Sequence, residues 1–239
     1  MKKILVILIV FFMVGCTNRE DKLIMATEAG FAPYEYYSDG KIIGVDIDIA
    51  NEIAKEMGKK LVVKDVAFDS IITEVKTGKS DIGAAGISYT EERSKQVDFS
   101  NYYTISRQVI VVKRGSAIKN KNDLVHKKIA VQLGSVADTY VTEELTNSTI
   151  IRQKKYLAAI QDLKDNKVDC VVMDELPAKA IIIESPYVGI LSEPLTEDTY
   201  GIIVNKGNTE LLNVINRVIN RLKQEGKIDE FIIYHENNS

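Results

Sequence analysis

Residues 81–103 read DIGAAGISYTEERSKQVDFSNYY, and the interpretation of the whole chain starts from this stretch. After Asp81, residues 82–86 form a short apolar run of mostly small residues, which is typical of the end of a buried strand. The glycines let a ligand come close, because no Cβ stands in the way. Thr90 follows as a candidate N-cap of a helix that carries Arg93. Free backbone N–H groups and a guanidinium together predict a site for a carboxylate or phosphate, although such an Arg can also be solvated or paired with Glu91.

Three other strand ends carry residues that could bind a ligand. Glu28 follows the predicted strand Lys22–Thr27, Gly134 and Ser135 follow Lys128–Gln132, and Asp174 ends the apolar run from Val168. Ligands of open α/β sheets gather at the carboxyl ends of strands. The pattern around Asp174 by itself favours a helix cap, since a helix from Glu175 follows at once.

Two predicted helices begin with residues of interest. The pattern predicts a helix from Val45 to Gly58, at whose start Asp46 and Asp48 are expected to complement the helix dipole. Phe68 precedes a helix predicted over residues 69–77 and is by pattern more often a core residue than a pocket wall.

The order of elements predicts an α/β protein with two lobes. Long strand-like runs at residues 106–112 and 199–204 are interpreted as two crossovers. They imply a discontinuous first lobe, residues 20–109 plus 201–239, and an inserted second lobe, residues 110–200. Two linking strands suit a hinge that closes the lobes around a ligand.

The amino terminus is typical of an exported protein. Two lysines precede an apolar run from Ile4 to Val14, too short to span a bilayer, which predicts a signal peptide over residues 1–15. Gly15-Cys16 resembles the bacterial lipobox, with Met13 where Leu is usual. We expect Cys16 to be lipidated, residues 16–21 to form a tether, and the protein to be anchored outside the cytoplasmic membrane by lipid alone. An ordinary signal peptide cut nearby is the alternative.

Composition excludes several classes of function. Without residues 1–15 the chain has 224 residues with 29 basic and 34 acidic side chains, a net charge of −5, which argues against nucleic-acid binding. Cys170 would then have only Cys16 as a possible disulfide partner, and it lies in an apolar strand-like run. No phosphate-binding or dinucleotide glycine pattern occurs, and His126 and His235 lie outside the motifs, so a zinc site or catalytic triad is not indicated.

Three segments resemble one family. AGISYTEER followed by VDFSNYY, TEAGFAPYEY with DGKIIGVDIDIA, and VDCVVMD are similar to the signatures of extracytoplasmic amino-acid-binding proteins of ABC importers. The resemblance implies the type II periplasmic-binding ("Venus flytrap") fold, with a free amino acid bound between two lobes, no cofactor and no chemistry. It also implies a monomer whose closed form docks on a membrane permease.

The resemblance also implies roles for particular residues. Arg93 would hold the ligand's α-carboxylate, and Asp174 would pair with its α-ammonium. The full set of residues that we expect at the ligand is Glu28, Phe31, Phe68, Gly86, Ser88, Arg93, Gln132, Gly134, Ser135, Val136 and Asp174.

Charge balance then suggests the ligand. Arg93 would pair with the α-carboxylate of an amino acid and Asp174 with its α-ammonium. Glu28 would then have no partner, so it should favour a ligand with a cationic side chain. We therefore expect arginine first, then lysine or histidine, with glutamine as the neutral alternative. A Lys or Arg near Glu28 in the fold would remove this reason.

An enzyme on the same fold is the competing hypothesis. Cyclohexadienyl dehydratases resemble these binding proteins and use the same cleft for an elimination, in which Glu28 or Asp174 could act as general acid. Turnover of prephenate or arogenate would distinguish this hypothesis from amino-acid binding.

Overall fold

A computed structural model describes residues 19–239, except the side chain of Glu184. The predicted signal peptide and the first half of the predicted tether, including Cys16, lie outside the described residues. The rest of the tether, Arg19–Asp21, forms one 3-10 turn. In the described part, no helix has the length and apolar character needed to cross a membrane.

The first sheet has five strands in the order β4-β1-β5-β13-β6. Strands β4, β1 and β5 are parallel, and β13 runs antiparallel to both of its neighbours. A separate hairpin of β2 and β3 lies between β1 and the first helix. The strands of the five-stranded sheet are β1 (Lys22–Thr27), β4 (Lys60–Asp65), β5 (Ile82–Gly83), β6 (Val97–Phe99) and β13 (Ile203–Asn205). The hairpin consists of β2 (Tyr36–Ser38) and β3 (Lys41–Ile43).

The second sheet has the order β11-β7-β10-β8-β9, and β12 pairs with the first half of β7. Strands β10, β8 and β9 are parallel, while β7 runs antiparallel to β10. Its members are β7 (Thr104–Lys113), β8 (Lys128–Gln132), β9 (Thr149–Gln153), β10 (Cys170–Asp174), β11 (Val188–Ile190) and β12 (Thr196–Tyr200). Strand β10 is buried at all five positions, as its continuous apolar run predicts.

Helices cover both sheets. Helices α1 (Val45–Glu56), α2 (Ile71–Lys76) and the short α3 (Glu91–Ser94) pack with the first sheet, and α7 (Thr209–Gln224) and α8 (Lys227–Asn238) pack on α1 and on each other. Those that pack with the second are α4 (Val136–Glu144), α5 (Tyr156–Lys164) and α6 (Glu175–Glu184). We call the first sheet with its helices lobe 1 and the second sheet with its helices lobe 2.

Several element boundaries differ from the prediction. Helix α1 stops at Glu56, because Gly58 adopts a left-handed conformation with φ 64°. The helix expected over residues 69–77 begins as a 3-10 turn, Phe68–Ser70, before α2. The last helix runs from Lys227 to Asn238.

The chain passes between the sheets twice. It enters lobe 2 after β6 through β7 and returns to lobe 1 from β12 to β13. The two connecting strands β7 and β12 are paired antiparallel from Thr104 to Gln108, so they lie side by side. Because β7 pairs within lobe 2 from its first residue, a boundary near residue 103 suits the strand pairing better than one at residue 109.

Candidate functional site

Nine of the eleven residues predicted at the ligand line a single cavity between the lobes. The cavity has a volume of about 10 Å³, room for about one water molecule. Its lining also includes Tyr156, the first residue of α5, which sequence reasoning did not single out. The predicted residues on the lining are Phe31, Phe68, Gly86, Ser88, Arg93, Gln132, Ser135, Val136 and Asp174.

The turn from β5 to α3 forms the lobe 1 wall around Arg93. The Thr90 side chain caps α3 by accepting a hydrogen bond from the Arg93 backbone N–H at 3.1 Å, as the pattern predicts. Gly86 has φ 54°, and a Cβ at this position would lie 2.7 Å from Cε1 of Phe31. The turn therefore needs glycine both for its backbone conformation and for its contact with the aromatic ring.

The guanidinium of Arg93 joins the two lobes. Its Nη1 donates to the Ser88 carbonyl at 2.8 Å, and its Nη2 donates to the Gly134 carbonyl of lobe 2 at 2.9 Å. The same group lies 5.6 Å from the ring centroid of Phe68. Burial lowers the pKa of Arg93, but a guanidinium remains charged at any physiological pH. A buried cation that meets only neutral carbonyls can accept an anionic ligand.

The loop from Gln132 to Val136 forms the facing wall in lobe 2. The backbone N–H of Gly134 donates to Asp138 Oδ2 at 3.1 Å, and that of Ser135 donates to the Gln132 carbonyl at 3.2 Å. Ser135 Oγ also caps α4. The backbone amides of Gly134 and Ser135 are therefore used within the lobe. Val136 starts α4, a position where helix geometry leaves the N–H without an intrahelical partner.

Asp174 ends β10 and faces the cavity from lobe 2. Its Oδ1 accepts hydrogen bonds from Ser106 Oγ at 2.9 Å, from Gln108 Nε2 at 2.8 Å and from the hydroxyl of Tyr200. Burial raises the pKa of this carboxyl to about 6, against the lowering effect of these bonds. The side chain makes no capping bond to α6, so the cap favoured by the sequence pattern is wrong. With three donors on Oδ1, Oδ2 is left for a ligand donor.

Glu28 has a partner that sequence reasoning could not identify. Lys155 Nζ lies 2.9 Å from Glu28 Oε1, and Gln132 Nε2 donates to Oε2 at 3.1 Å. Glu28 is 1% exposed and is not among the residues that line the cavity, although its partner Gln132 is. The premise that Glu28 is left unpaired is therefore wrong, and the electrostatic reason for a cationic ligand no longer holds.

Asp46 and Asp48 do more than complement the dipole of α1. Asp46 is completely buried, and its Oδ2 accepts a hydrogen bond from the backbone N–H of Gly86 at 2.9 Å. Asp48 Oδ2 lies 2.9 Å from Nε2 of His235, a buried residue whose Nδ1 also contacts the Tyr36 hydroxyl. Asp46 thus fixes the turn that carries Gly86, a role without any local signal in the sequence.

Glu35 is a second buried acid that the sequence analysis missed. Its side chain is 0% exposed. Burial, followed by the nearby charge of Asp46, raises the pKa of Glu35 well above its usual value. Burial also raises the pKa of Asp46, to about 6. Behind the cavity, lobe 1 therefore contains two carboxyl groups that resist ionisation.

The described residues offer no evident metal centre. Among residues 19–239, no group of three or more His, Cys, Asp or Glu side chains is arranged to hold a metal ion. The charged groups on the cavity lining are Arg93 and Asp174, which suit a small zwitterion rather than a cation alone.

The chain is similar to known proteins over most of its length. Residues 23–235 match the model of a family described as bacterial extracellular solute-binding proteins, family 3. A probable histidine-binding protein of Campylobacter jejuni is 30% identical, over 99% of this chain and 99% of its own length. The matched regions include both sheets and every residue of the cavity.

Solved structures with ligands show the same similarity. An amino acid ABC transporter substrate-binding protein from Streptococcus pneumoniae, bound to L-arginine, gives a TM-score of 0.88 at 34% identity, over 91% of this chain and 95% of that chain. An ancestral arginine-binding protein bound to glutamine gives 0.86 at 40% identity, over 90% of this chain and 97% of that chain.

Proposed function

This chain belongs to family 3 of the bacterial extracellular solute-binding proteins, and from that premise we propose that it captures a free amino acid for an ABC importer. Its two-lobed type II periplasmic-binding fold is the one expected from the sequence, and solved structures confirm it. The observation that carries the proposal is the pairing of Arg93 and Asp174 on one interlobe cavity. An amino acid has one carboxylate and one ammonium, which these two side chains can answer.

Ligand entry requires a change at Arg93. The guanidinium now donates to two carbonyls, and a carboxylate is a stronger acceptor for it than a neutral oxygen. A cavity of about 10 Å³ is far too small for an amino acid, so the lobes have to separate before one enters. The ligand carboxylate would then join Arg93 to lobe 2 in place of the Gly134 carbonyl. Closure around the ligand would be favoured by these new contacts.

The walls of the cavity suit a flat side chain. The rings of Phe31 and Tyr156 are stacked across the lobes with centroids 5.7 Å apart, and Phe68 lies near Arg93. A planar guanidinium or amide can stack on such rings. Because similar proteins are described as bound to L-arginine or to glutamine, we propose arginine as the first ligand and glutamine as the neutral alternative.

Binding rather than catalysis is the function that we propose. The relatives are solute-binding proteins, and Asp174 already accepts three hydrogen bonds on one oxygen, which suits a fixed counter-ion. Turnover of prephenate or arogenate by the purified protein would contradict this part of the proposal.

The proposed function also has a cellular location and a partner protein. We propose that the protein works outside the cytoplasmic membrane as a lipid-anchored monomer and that its closed form docks on a permease. Lipidation at Cys16 rests on the sequence alone, since that residue lies outside the described part of the chain.

A panel of ligands tests the proposed function directly. Thermal denaturation is measured with each of the twenty amino acids and with agmatine, which keeps the guanidinium of arginine but lacks the α-carboxylate. We expect L-arginine to raise the midpoint most, glutamine less, and agmatine hardly at all, because Arg93 needs an anion. Stabilisation by glutamate or leucine but not by arginine would contradict the ligand class.

A further inference from the structure

The ion pair between Lys155 and Glu28 crosses the cleft. Glu28 follows β1 in lobe 1, and Lys155 precedes α5 in lobe 2. The Lys155 ammonium also lies 3.8 Å from Asp65, another acid of lobe 1. Partial burial lowers the pKa of Lys155, but the bond to Glu28 more than reverses this effect and the net shift is upward. A charged lysine is therefore held beside Glu28, an acid bonded to the cavity-lining residue Gln132.

The two ends of this pair differ in exposure. The Glu28 side chain is 2% exposed, whereas that of Lys155 is 44% exposed. A carboxylate buried to this extent needs a cation or several donors. Within the described residues Glu28 has two such partners, Lys155 and Gln132, and both come from lobe 2. Separation of the lobes would therefore remove both partners from Glu28 together.

We propose that Lys155 determines ligand specificity by acting as an internal cation for Glu28, which reduces the advantage of a cationic ligand over a neutral polar one. This rests on the proposed function of the cavity. When the separated lobes close again, the cation that pairs with Glu28 can be either the Lys155 ammonium or the guanidinium of a ligand. With Lys155 in place, a neutral amide leaves no charge unpaired in the closed cleft. Without it, only a cationic ligand can supply the missing charge.

The proposal predicts that loss of the Lys155 ammonium changes the preference for L-arginine over L-glutamine. Replacing the lysine by Lys155→Met removes the ammonium but keeps an unbranched apolar side chain. The ratio of the Kd for L-glutamine to the Kd for L-arginine should then rise by about tenfold or more. General effects on lobe closure cancel in the ratio, since both ligands require the same closure.

Titration calorimetry with L-arginine and L-glutamine measures both constants. Lys155→Arg should leave the ratio within about twofold of the wild type, because it retains a cation. Lys154→Met is the matched control, since it removes one positive charge from the neighbouring exposed residue. It should not change the ratio. If Lys155→Met does not fold, Lys155→Gln serves in the same comparison.

The outcomes separate this proposal from the one on which it rests. Arginine and glutamine binding with an unchanged ratio in the Lys155 variants would overturn the role of Lys155 alone. An equal rise in the ratio for Lys154→Met would also overturn it, because the effect would then be one of net charge. Absence of binding to any amino acid by the wild-type protein would overturn the proposed function and this inference with it.

Discussion

Arg93 and Asp174 both line the cavity, but they differ in the hydrogen bonds that they already make. Both terminal nitrogens of Arg93 donate to backbone carbonyls, one in each lobe, and no carboxylate within residues 19–239 pairs directly with its positive charge. Asp174 is the reverse case, because three donors stabilise a single oxygen and hold the carboxylate in place. We therefore propose that the anion of a ligand gains a strong new bond at Arg93 and that its cation meets a preorganised acceptor at Asp174.

Arg93→Ala should weaken amino-acid binding severely. The ligand carboxylate would be buried without its charged partner, at a cost of roughly 2–5 kcal/mol, or about thirty- to several-thousand-fold in Kd. Calorimetry measures the loss. Arg107→Ala is the matched control, since Arg107 is half exposed and pairs with Glu197. Unchanged affinity in a folded Arg93→Ala protein would remove Arg93 from the site.

Asp46 should make stability depend on pH. A carboxyl whose pKa is higher in the folded than in the unfolded state binds its proton more tightly when folded. The free energy of unfolding therefore falls as pH rises from about 3.8 to about 6. Asp174 acts in the same direction over the same range. Asp46→Asn removes one such group and keeps an oxygen that can accept from Gly86.

The test is urea denaturation without ligand at pH 4 and pH 7. The difference in free energy of unfolding between Asp46→Asn and wild type should shift in the variant's favour by roughly 1–3 kcal/mol between the two pH values. The exposed Asp39→Asn is the control and should follow the wild type. A difference that stays constant with pH would show that Asp46 ionises normally in the folded protein.

At the scale of elements, the turn between β5 and α3 is the most constrained part of the site. Gly86 has a left-handed backbone conformation, and its N–H donates a hydrogen bond to Asp46 of α1. It also lies against the ring of Phe31. Strand β5 has only two residues and lies between β1 and β13. The turn is therefore held by packing from several elements rather than by its own length.

Gly86→Ala should damage both stability and binding. The new Cβ would lie 2.7 Å from Phe31 Cε1 and 3.1 Å from Tyr200 Cε2, in a backbone conformation that disfavours any side chain. We expect unfolding to become easier by roughly 1–3 kcal/mol and Kd to rise about tenfold or more. Gly58→Ala separates the two causes, because Gly58 has φ 64° but no atom within 4 Å of the added Cβ. Equal losses in denaturation and calorimetry for both variants would show that strain alone, without the clash, is responsible.

At the scale of the whole molecule, the connections and the contacts across the cleft act together. Strands β7 and β12 lie side by side, an arrangement that lets two lobes rotate about one line. Arg93 to Gly134 and Lys155 to Glu28 join the lobes on the ligand side. Opening separates these contacts and exposes Arg93 and Glu28 to water, which can replace the lost partners. A ligand that binds the closed form better than the open form then shifts the balance towards closure.

Cys16→Ser should release the protein from the membrane. We propose that the thioether-linked lipid on Cys16 is its anchor, because the apolar run before it is too short to span a bilayer. Metabolic labelling with a fatty acid and fractionation of membranes measure the effect. Cys170→Ser is the matched control, since Cys170 is buried in the core and should not carry lipid. Label retained in Cys16→Ser would place the modification elsewhere.

Much of the site was predictable because it is local in sequence. The strand, turn and capped helix that present Gly86, Ser88 and Arg93 follow each other within a few residues, so short-range propensities and capping define them. Asp174 was identified at its strand end, although pattern alone assigned it a cap that the structure does not form. The family resemblance supplied the roles that spacing could not.

The tertiary structure alone decided how the charges pair. Glu28 meets Lys155 and Gln132, and Asp46 meets Gly86, in both cases across a long stretch of chain, and Glu35 is buried close to Asp46. Neither burial nor a counter-ion from the other lobe leaves a periodic or spacing signal in the sequence. The sequence therefore led us to propose where an amino acid's carboxylate and ammonium bind, and the fold decided that Glu28 is paired with Lys155 instead of being left for the ligand's side chain.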